Sequence, residues 1–244
     1  MIVLFTDFGL EGPYTGQMKA VLHRDVPGAP VIDLFSDAPA GNPMAAAYLL
    51  AAYAAWFPAG AVFLCVVDPG VGGRRAPVMI EADARWFVGP DNGLFELVLR
   101  RAKRAQVSAI AWRPELLSAS FHGRDLFAPV AARLAKGETP PSRAHQPLRH
   151  ADWPDDLAEI VYIDHYGNAV TGLRAKGFSK KAEFFLKGRK LRHARSFERA
   201  AGPFWYENSM GLVEIAAPRS SAARRLGLRV GSRIATSPRS RGSR

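Results

Sequence analysis

Short apolar runs, each closed by a polar or glycine-rich turn, punctuate the first half of the chain. Ile2 to Phe5 ends at Thr6-Asp7-Phe8-Gly9 and predicts a strand followed by a turn. Tyr14 to Leu22 predicts a helix, and Pro30 to Leu34 a second strand. Pro43 to Trp56 is rich in Ala, Leu and Tyr and predicts a helix with proline in its first turn, where no N–H is missed. Ala61 to Val67 predicts a third strand, ended by Asp68-Pro69-Gly70. Val78 to Glu81 and Trp86 to Val88 predict a strand pair, and Leu94 to Ala105 and Leu126 to Ala135 two further helices. Strands alternating with helices predict an α/β fold with a largely parallel sheet.

Between Gly137 and Pro154 the chain turns polar and proline-rich, which marks a boundary. Beyond it, Ile160 to Asp164, Glu183 to Leu186 and Gly211 to Ala216 predict strands separated by turns. The expected organisation is an N-terminal α/β domain over 1–143, a linker over 144–156 and a smaller, mostly-β domain over 157–236. A basic tail of Ser, Arg, Pro and Gly, 237–244, is expected to be disordered. Residues 43–67 are apolar enough to span a membrane, but Pro58 and Gly60 divide them into a buried helix and a buried strand. The N-terminus has no basic segment before its short apolar run, so the expected location is cytoplasmic.

The 244 residues are 48% hydrophobic and 23% charged, which excludes a wholly disordered chain. The single cysteine, Cys65, excludes an intrachain disulfide and a multi-cysteine zinc cluster, and its apolar surroundings predict a buried thiol. The formal net charge of +11 is uneven: residues 1–150 carry 15 Lys and Arg against 13 acidic residues, and residues 151–244 carry 18 against 9. No nucleic-acid motif surrounds these cations, so a solvated basic face is the expectation rather than a nucleic-acid site.

Polar residues in the first half sit where predicted strands end or in glycine-rich turns. Asp7 follows the first strand, Asp68 the third, and Asp91-Asn92-Gly93 the Trp86 strand, while Phe121-His122-Gly123-Arg124-Asp125 opens a helix. In open α/β sheets the carboxyl ends of strands form the ligand crevice. Each aspartate alone is better read as a turn or cap residue; their coincidence points to a site. A carboxylate such as Asp7 suits a ribose diol, because it accepts two hydrogen bonds. Asp68-Pro69-Gly70-Val71-Gly72-Gly73-Arg74-Arg75 matches neither a phosphate-binding loop nor a dinucleotide fingerprint. Its aspartate is suited to holding a water, and a neighbouring arginine to favouring an anion. His122 is the best acid–base candidate. His23, His145, His150, His165 and His193 lack metal-ligand spacing, and no metal site is expected. No Gly-x-Ser-x-Gly elbow is present, so Ser209 is read as a binding hydroxyl rather than a nucleophile. Asn168 is suited to reading a base edge, or is simply a turn residue. Phe204-Trp205-Tyr206 is either core or a stacking platform for a purine.

Taken in order, these segments resemble one family. They are Thr6 to Gly9, Tyr14 with Gly16 and Met18-Lys19, Val66 to Gly72, Gly89 to Leu94, Phe121 to Pro129, Asp164 to Asn168 and Pro203 to Ala216. The family is the S-adenosyl-L-methionine hydroxide adenosyltransferases, relatives of fluorinase and chlorinase. The resemblance implies hydrolysis of S-adenosyl-L-methionine to adenosine and L-methionine, with no cofactor. It implies a homotrimer with active sites between subunits. It assigns catalysis to Asp68, Arg75 and His122, with Arg75 preferred to Arg74 by its spacing of seven from Asp68. Substrate binding falls to Asp7, Phe8, Asn92, Asp164, Asn168, Phe204, Ser209 and Glu214.

The chain also departs from the family pattern. Gly12 stands where many relatives have Asp, the loop 37–42 is less acidic, Gly172 replaces a frequent Asn, and Ala217 to Ser221 replaces an Asn/Gly-rich turn. Gly12 and the altered 217–221 turn motivate an alternative, a non-catalytic module that binds adenosine or S-adenosyl-L-methionine. A halogenase is the other alternative, opposed by the His122-Gly123-Arg124-Asp125 and Asp68 to Gly72 motifs.

Overall fold

Five consecutive buried residues, Ile2–Thr6, form β1, an interior strand of a seven-stranded sheet. An interior strand covered on both faces needs apolar residues at successive positions rather than alternation, as this run supplies. The computed structural model describes residues 1–236, in two units, Met1–His150 and a second beginning at Ala151. The predicted tail, 237–244, lies outside the described residues.

In the first unit the chain runs β1, α1 (Tyr14–Asp25), β2 (Val31–Phe35), α2 (Pro43–Tyr53), β3 (Val62–Val66), β4 (Pro77–Ala82), β5 (Arg85–Pro90), α3 (Glu96–Arg101), β6 (Ala105–Ile110), α4 (Ala128–Ala135) and β7 (Ser142–Ala144). The strand order is β2-β1-β3-β5-β4-β6-β7. β2, β1, β3 and β5 are mutually parallel, and β4, β6 and β7 extend the sheet antiparallel. The sheet is therefore mixed, with its parallel half at the β2 edge. Ile2, Leu4, Val62 and Leu64 pack with Met18 and Leu22 of α1 and with Val130 and Leu134 of α4. Phe63 and Phe87 stack with ring centres 4.9 Å apart, and Phe5 meets Phe35 edge-on at 5.2 Å. Residues 43–67 form a buried helix and then a buried strand, and no helix among the described residues is long and apolar enough to cross a membrane. Cys65 is buried, and burial pushes its thiol well up.

The predicted helix 94–105 is shorter, and the strand β6 after it is new. The Asp83 carboxylate accepts from the N–H groups of Lys103 (3.0 Å) and Arg104 (3.1 Å), which stops α3 and turns the chain into β6. Asp83 and Ala84 make the β4–β5 turn with φ of 46° and 61°. That conformation is uncommon away from glycine, and the two bonds from Asp83 offset its cost.

The second unit is all antiparallel in its sheets. β12 (Phe204–Glu207), β13 (Leu212–Ala216), β9 (Ala169–Arg174) and β8 (Leu157–Ile163) form one sheet in that order; β11 (Arg189–Leu191), β10 (Phe184–Leu186) and β14 (Ala235–Thr236) form another. A short helix, α5 (Ala222–Leu226), packs Ala222, Ala223 and Leu226 into the core with Trp205, Val213 and Ile215. Gly172 belongs to this packing. A Cβ there would lie 2.6 Å from Leu157 Cβ, so the close approach of β8 and β9 requires glycine.

Residues 145–150, placed in the expected linker, lie against the first unit. Glu96, only 2% exposed, accepts from Arg100 (2.8 Å), Arg149 (2.9 Å) and the His150 N–H (3.2 Å). Burial pushes the Glu96 carboxyl up, but the two guanidiniums and the N–H outweigh burial and hold it at about 2. Breaking such a buried pair from one side typically costs about 3–5 kcal/mol. Glu96→Gln is therefore expected to lose about 3 kcal/mol at pH 7 by urea denaturation. The folded value lies below the ordinary 4.5, so the wild-type advantage is full above that pH and fades as pH falls toward 2. A gap between the two proteins that does not narrow between pH 7 and pH 3 contradicts this account.

Candidate active site

β1 and β3 are parallel neighbours, with Thr6 opposite Val66, so the residues just past their ends emerge side by side. Asp7 is the first residue past β1, and Asp68 the second past β3. The Asp7 N–H donates to Val66 O, and one Asp7 oxygen accepts from the Gly41 N–H at 2.8 Å. Burial raises the Asp7 carboxyl above its ordinary value, and the Asp68 charge adds to the rise. Two carboxylates at the ends of adjacent strands thus make a negative corner.

Asp68 begins an exposed glycine-rich loop that returns at Arg75. The side chains of Asp68 and Arg75 are 3% and 9% exposed. Arg75 Nε lies 2.9 and 3.0 Å from the two Asp68 oxygens, and its Nη2 adds a further bond to Oδ2. The same Nη2 lies 2.9 Å from His122 Nδ1. Arginine only donates, so Nδ1 must be the acceptor, and a neutral His122 carries its proton on Nε2. Burial lowers the His122 pKa first and the Arg75 charge second, both favouring that neutral form. The Arg75 guanidinium also lies 5.7 Å from the centre of the Phe127 ring.

Gly72 lets the two loops meet. Its φ is +76°, and a Cβ would lie 2.5 Å from Ala119 O, three residues before His122. No other residue fits that approach without moving backbone. On the other side His122 leads into a single π-turn, Gly123–Phe127, which continues directly into α4. Asp125 accepts from the Ser118 N–H at 2.9 Å, and Arg124 bonds both Asp125 and Gln17. These bonds tie the His122 turn to its own preceding loop and to α1. Phe8, Tyr14 and Phe121 form an aromatic cluster beside it, with ring centres 5.4–5.8 Å apart.

The structure therefore brings Asp68, Arg75 and His122 into one bonded line, with Asp7 and Phe8 beside them. Asn92 is close by but spends its amide on backbone: Nδ2 donates to Val67 O at 2.8 Å, and Oδ1 accepts from the Leu94 N–H at 3.3 Å. The sequence gives no sign that Gln17 bonds the histidine turn or that Tyr14 meets Phe121. Nothing in their spacing signals a meeting of α1 with residues more than a hundred positions away.

The remaining expected residues lie in the second unit. Asp164 accepts from the Asn168 N–H (2.7 Å) and from Asn168 Nδ2 (2.9 Å), closing the β8–β9 turn. Glu214 is buried and accepts from Tyr206 Oη and from Asn208 Nδ2, the latter at 3.0 Å. Burial pushes the Glu214 carboxyl up despite these bonds, and the Asp164 charge adds to it. Phe204 is buried with its ring 5.3 Å from Phe197 and 5.7 Å from Tyr206. Trp205 faces the opposite way, into the core, with its indole N–H on Ala182 O. Ser209 is exposed at the β12–β13 turn. Tyr206 and Asn208, which set the Glu214 carboxylate, are absent from the expected set. The period-two alternation of β12 and β13 places Tyr206 opposite Glu214 and was the available signal. Among the described residues no cluster of His, Cys, Asp and Glu is arranged to hold a metal ion.

Both units match known proteins. The model of the SAM hydroxide adenosyltransferase N-terminal domain matches residues 2–144, and that of the corresponding C-terminal domain matches residues 158–235. An (R)-S-adenosyl-L-methionine hydrolase of Thermus thermophilus is 39% identical, the match covering 94% of this chain and 96% of that protein. A protein of the same name from Salinispora arenicola is 35% identical over 94% of each. A solved structure of an uncharacterized conserved protein from Thermotoga maritima superposes with a TM-score of 0.88 at 28% identity, over 97% of this chain and all of that one. With both domain models matched in order, this chain belongs to the SAM hydroxide adenosyltransferase family.

Proposed function

We propose that this protein hydrolyses S-adenosyl-L-methionine to adenosine and L-methionine. The observation that carries the reading is the bonded line Asp68–Arg75–His122 beside Asp7, in a chain similar throughout to proteins named as hydrolases of that substrate. The water oxygen forms a bond to C5′, the C5′–S bond breaks, and its electron pair returns to sulfur. The sulfonium leaves as a neutral thioether, so the leaving group needs no acid. The water must lose a proton, and the two groups beside it divide the work. His122 offers Nε2–H to the oxygen and holds it in line. Asp68 is the acceptor, since a guanidinium has no lone pair to use and Nδ1 is already engaged. Arg75 and the sulfonium stabilise the developing anion, and alignment with C5′ supplies much of the acceleration. Asp7 holds the ribose diol.

In this reading the nucleoside is held by Asp164, Asn168, Phe204, Ser209 and Glu214, contributed by the second unit of a neighbouring copy in a homotrimer. Support comes from the division of labour: the bonded catalytic line lies wholly in the first unit, and the buried carboxylate and aromatic set in the second. Light scattering is expected to give a mass three times 26.6 kDa. A cytoplasmic setting goes with this reading, supported by a single cysteine that leaves the chain without an intrachain disulfide.

Product chromatography after incubation with S-adenosyl-L-methionine is expected to show adenosine and methionine in equal amounts, unaffected by chloride. Asp68→Ala is expected to lower turnover by about a thousandfold, as loss of an aligned proton acceptor does. A chlorinated nucleoside transfers the assignment to the halogenases; binding without product makes the chain a non-catalytic module.

The state of His122 gives a separate check. Its imidazole is expected to titrate below the ordinary 6.5 by NMR, with activity falling on the acid side through the same value, because a protonated Nδ1 cannot accept from Arg75. In Arg75→Ala the titration moves upward, since the cation is gone and Asp68 remains. A His122 titration that stays put in Arg75→Ala contradicts the assigned contact.

A further inference from the structure

We infer that Asn92 is a positioning residue for Asp68, and that His145 fixes Asn92 through Asp91. The inference rests on the hydrolase reading and goes beyond it, because the resemblance places Asn92 on the substrate.

The loop from Asp68 to Arg75 stands on two feet, Val67 before it and Ala76 after it. Both are held by the same turn. Asn92 Nδ2 donates to Val67 O at 2.8 Å, and the Asp91 N–H donates to Ala76 O at 2.8 Å. Between the feet, residues 70–74 are exposed and rich in glycine, so the loop cannot brace itself by packing. The positions of the two acting side chains depend on the feet and on the Asp68–Arg75 pair that closes the base of the loop.

The turn is itself clamped. Both Asp91 oxygens accept from the Leu148 N–H at 3.1 Å, and Oδ2 also accepts from His145 Nε2 at 2.7 Å. The Asp91 and His145 side chains are 11% and 25% exposed. Residues 145–150 are secured a second time by Glu96, through Arg149 and the His150 N–H. A continuous set of bonds thus runs from His145 through Asp91 and Asn92 to the residue beside Asp68. Asn92 touches backbone on both sides of its amide, which is the pattern of a residue that sets geometry.

A misplacement of about 1 Å can cost on the order of a hundredfold in rate. Asn92→Ala is therefore expected to lower kcat by about thirtyfold with KM and adenosine affinity within about twofold of wild type. Asn92→Asp keeps the acceptor for Leu94 but sets a carboxylate against Val67 O, and is expected to fall at least as far. His145→Ala lowers kcat by about fivefold, and His145→Gln, which restores an N–H to Asp91, recovers most of it. Kinetics and melting temperature are measured together on the full chain. A raised KM at unchanged kcat in Asn92→Ala makes Asn92 a substrate contact and overturns the inference. A lower melting temperature with unchanged turnover per folded molecule, or failure of His145→Gln to recover activity, overturns it as well. Wild type run in parallel separates the two claims. If wild type forms no adenosine, the hydrolase reading falls and takes this inference with it. If wild type turns over and Asn92→Ala matches it, only this inference falls.

Discussion

The Asp68–Arg75 pair constrains everything around it. Both side chains are almost wholly removed from water, and neither charge survives there alone. The guanidinium must meet the carboxylate through two nitrogens, and it does so from seven residues away. That requirement fixes the loop as a closed ring, with its two charged ends together at the sheet and its glycines outside. Once the ring is closed, the Nη2 that bonds Asp68 has its second hydrogen left for the imidazole of His122 and sets its tautomer. The protonation state of the histidine therefore follows from an ion pair that does not include it.

Much of this was legible in the sequence, and the part that was not has a physical reason. Asp7, Asp68 and His122 were visible as polar residues where apolar runs end, because open α/β sheets gather ligands at strand ends. Arg75 was not visible in that way. Composition places an arginine near Asp68, but choosing it over Arg74 needed the family spacing, since only the course of the loop decides which of two adjacent arginines turns inward. Of the antiparallel half of the sheet, the β4–β5 pair was legible as two adjacent apolar runs, but β6 was hidden. β6 begins where the expected helix 94–105 ends, and what stops that helix early is the carboxylate of Asp83, twenty residues before Lys103. Interactions across such distances override local propensity, which is weak for a stretch as mixed as 94–105.

The second unit shows the same contrast between pattern and context. Glu214 enters the expected set through the resemblance alone, and the pairing of β12 with β13 then places Tyr206 opposite it, with Asn208 on its other oxygen. Of the departures from the family pattern, Gly172 acquires a structural reason, because β8 passes too close for any side chain. The substitution therefore belongs to how two strands pack. Gly12, with φ of +100°, keeps its loop in a conformation that an aspartate adopts only with strain.

Glycine at position 72 admits the close approach of the 68–75 loop to the loop before His122, and the same residue type deprives the loop of stiffness. Two turn bonds inside the loop, Val71 N–H to Asp68 O and Gly73 N–H to Gly70 O, fix part of the freedom that glycine gives, and the rest must be fixed from outside. The turn at 91–92 does this from below, on both feet at once. It is held by residues 145–150, which run over the first unit rather than simply connecting to the next. Those residues are gripped by Glu96, whose carboxylate stays charged far below neutral pH, so the grip does not loosen across the range in which His122 titrates. A loop that is soft by composition is thereby made stiff by its surroundings. The stiffness originates in a polar stretch that the sequence alone presents as a linker.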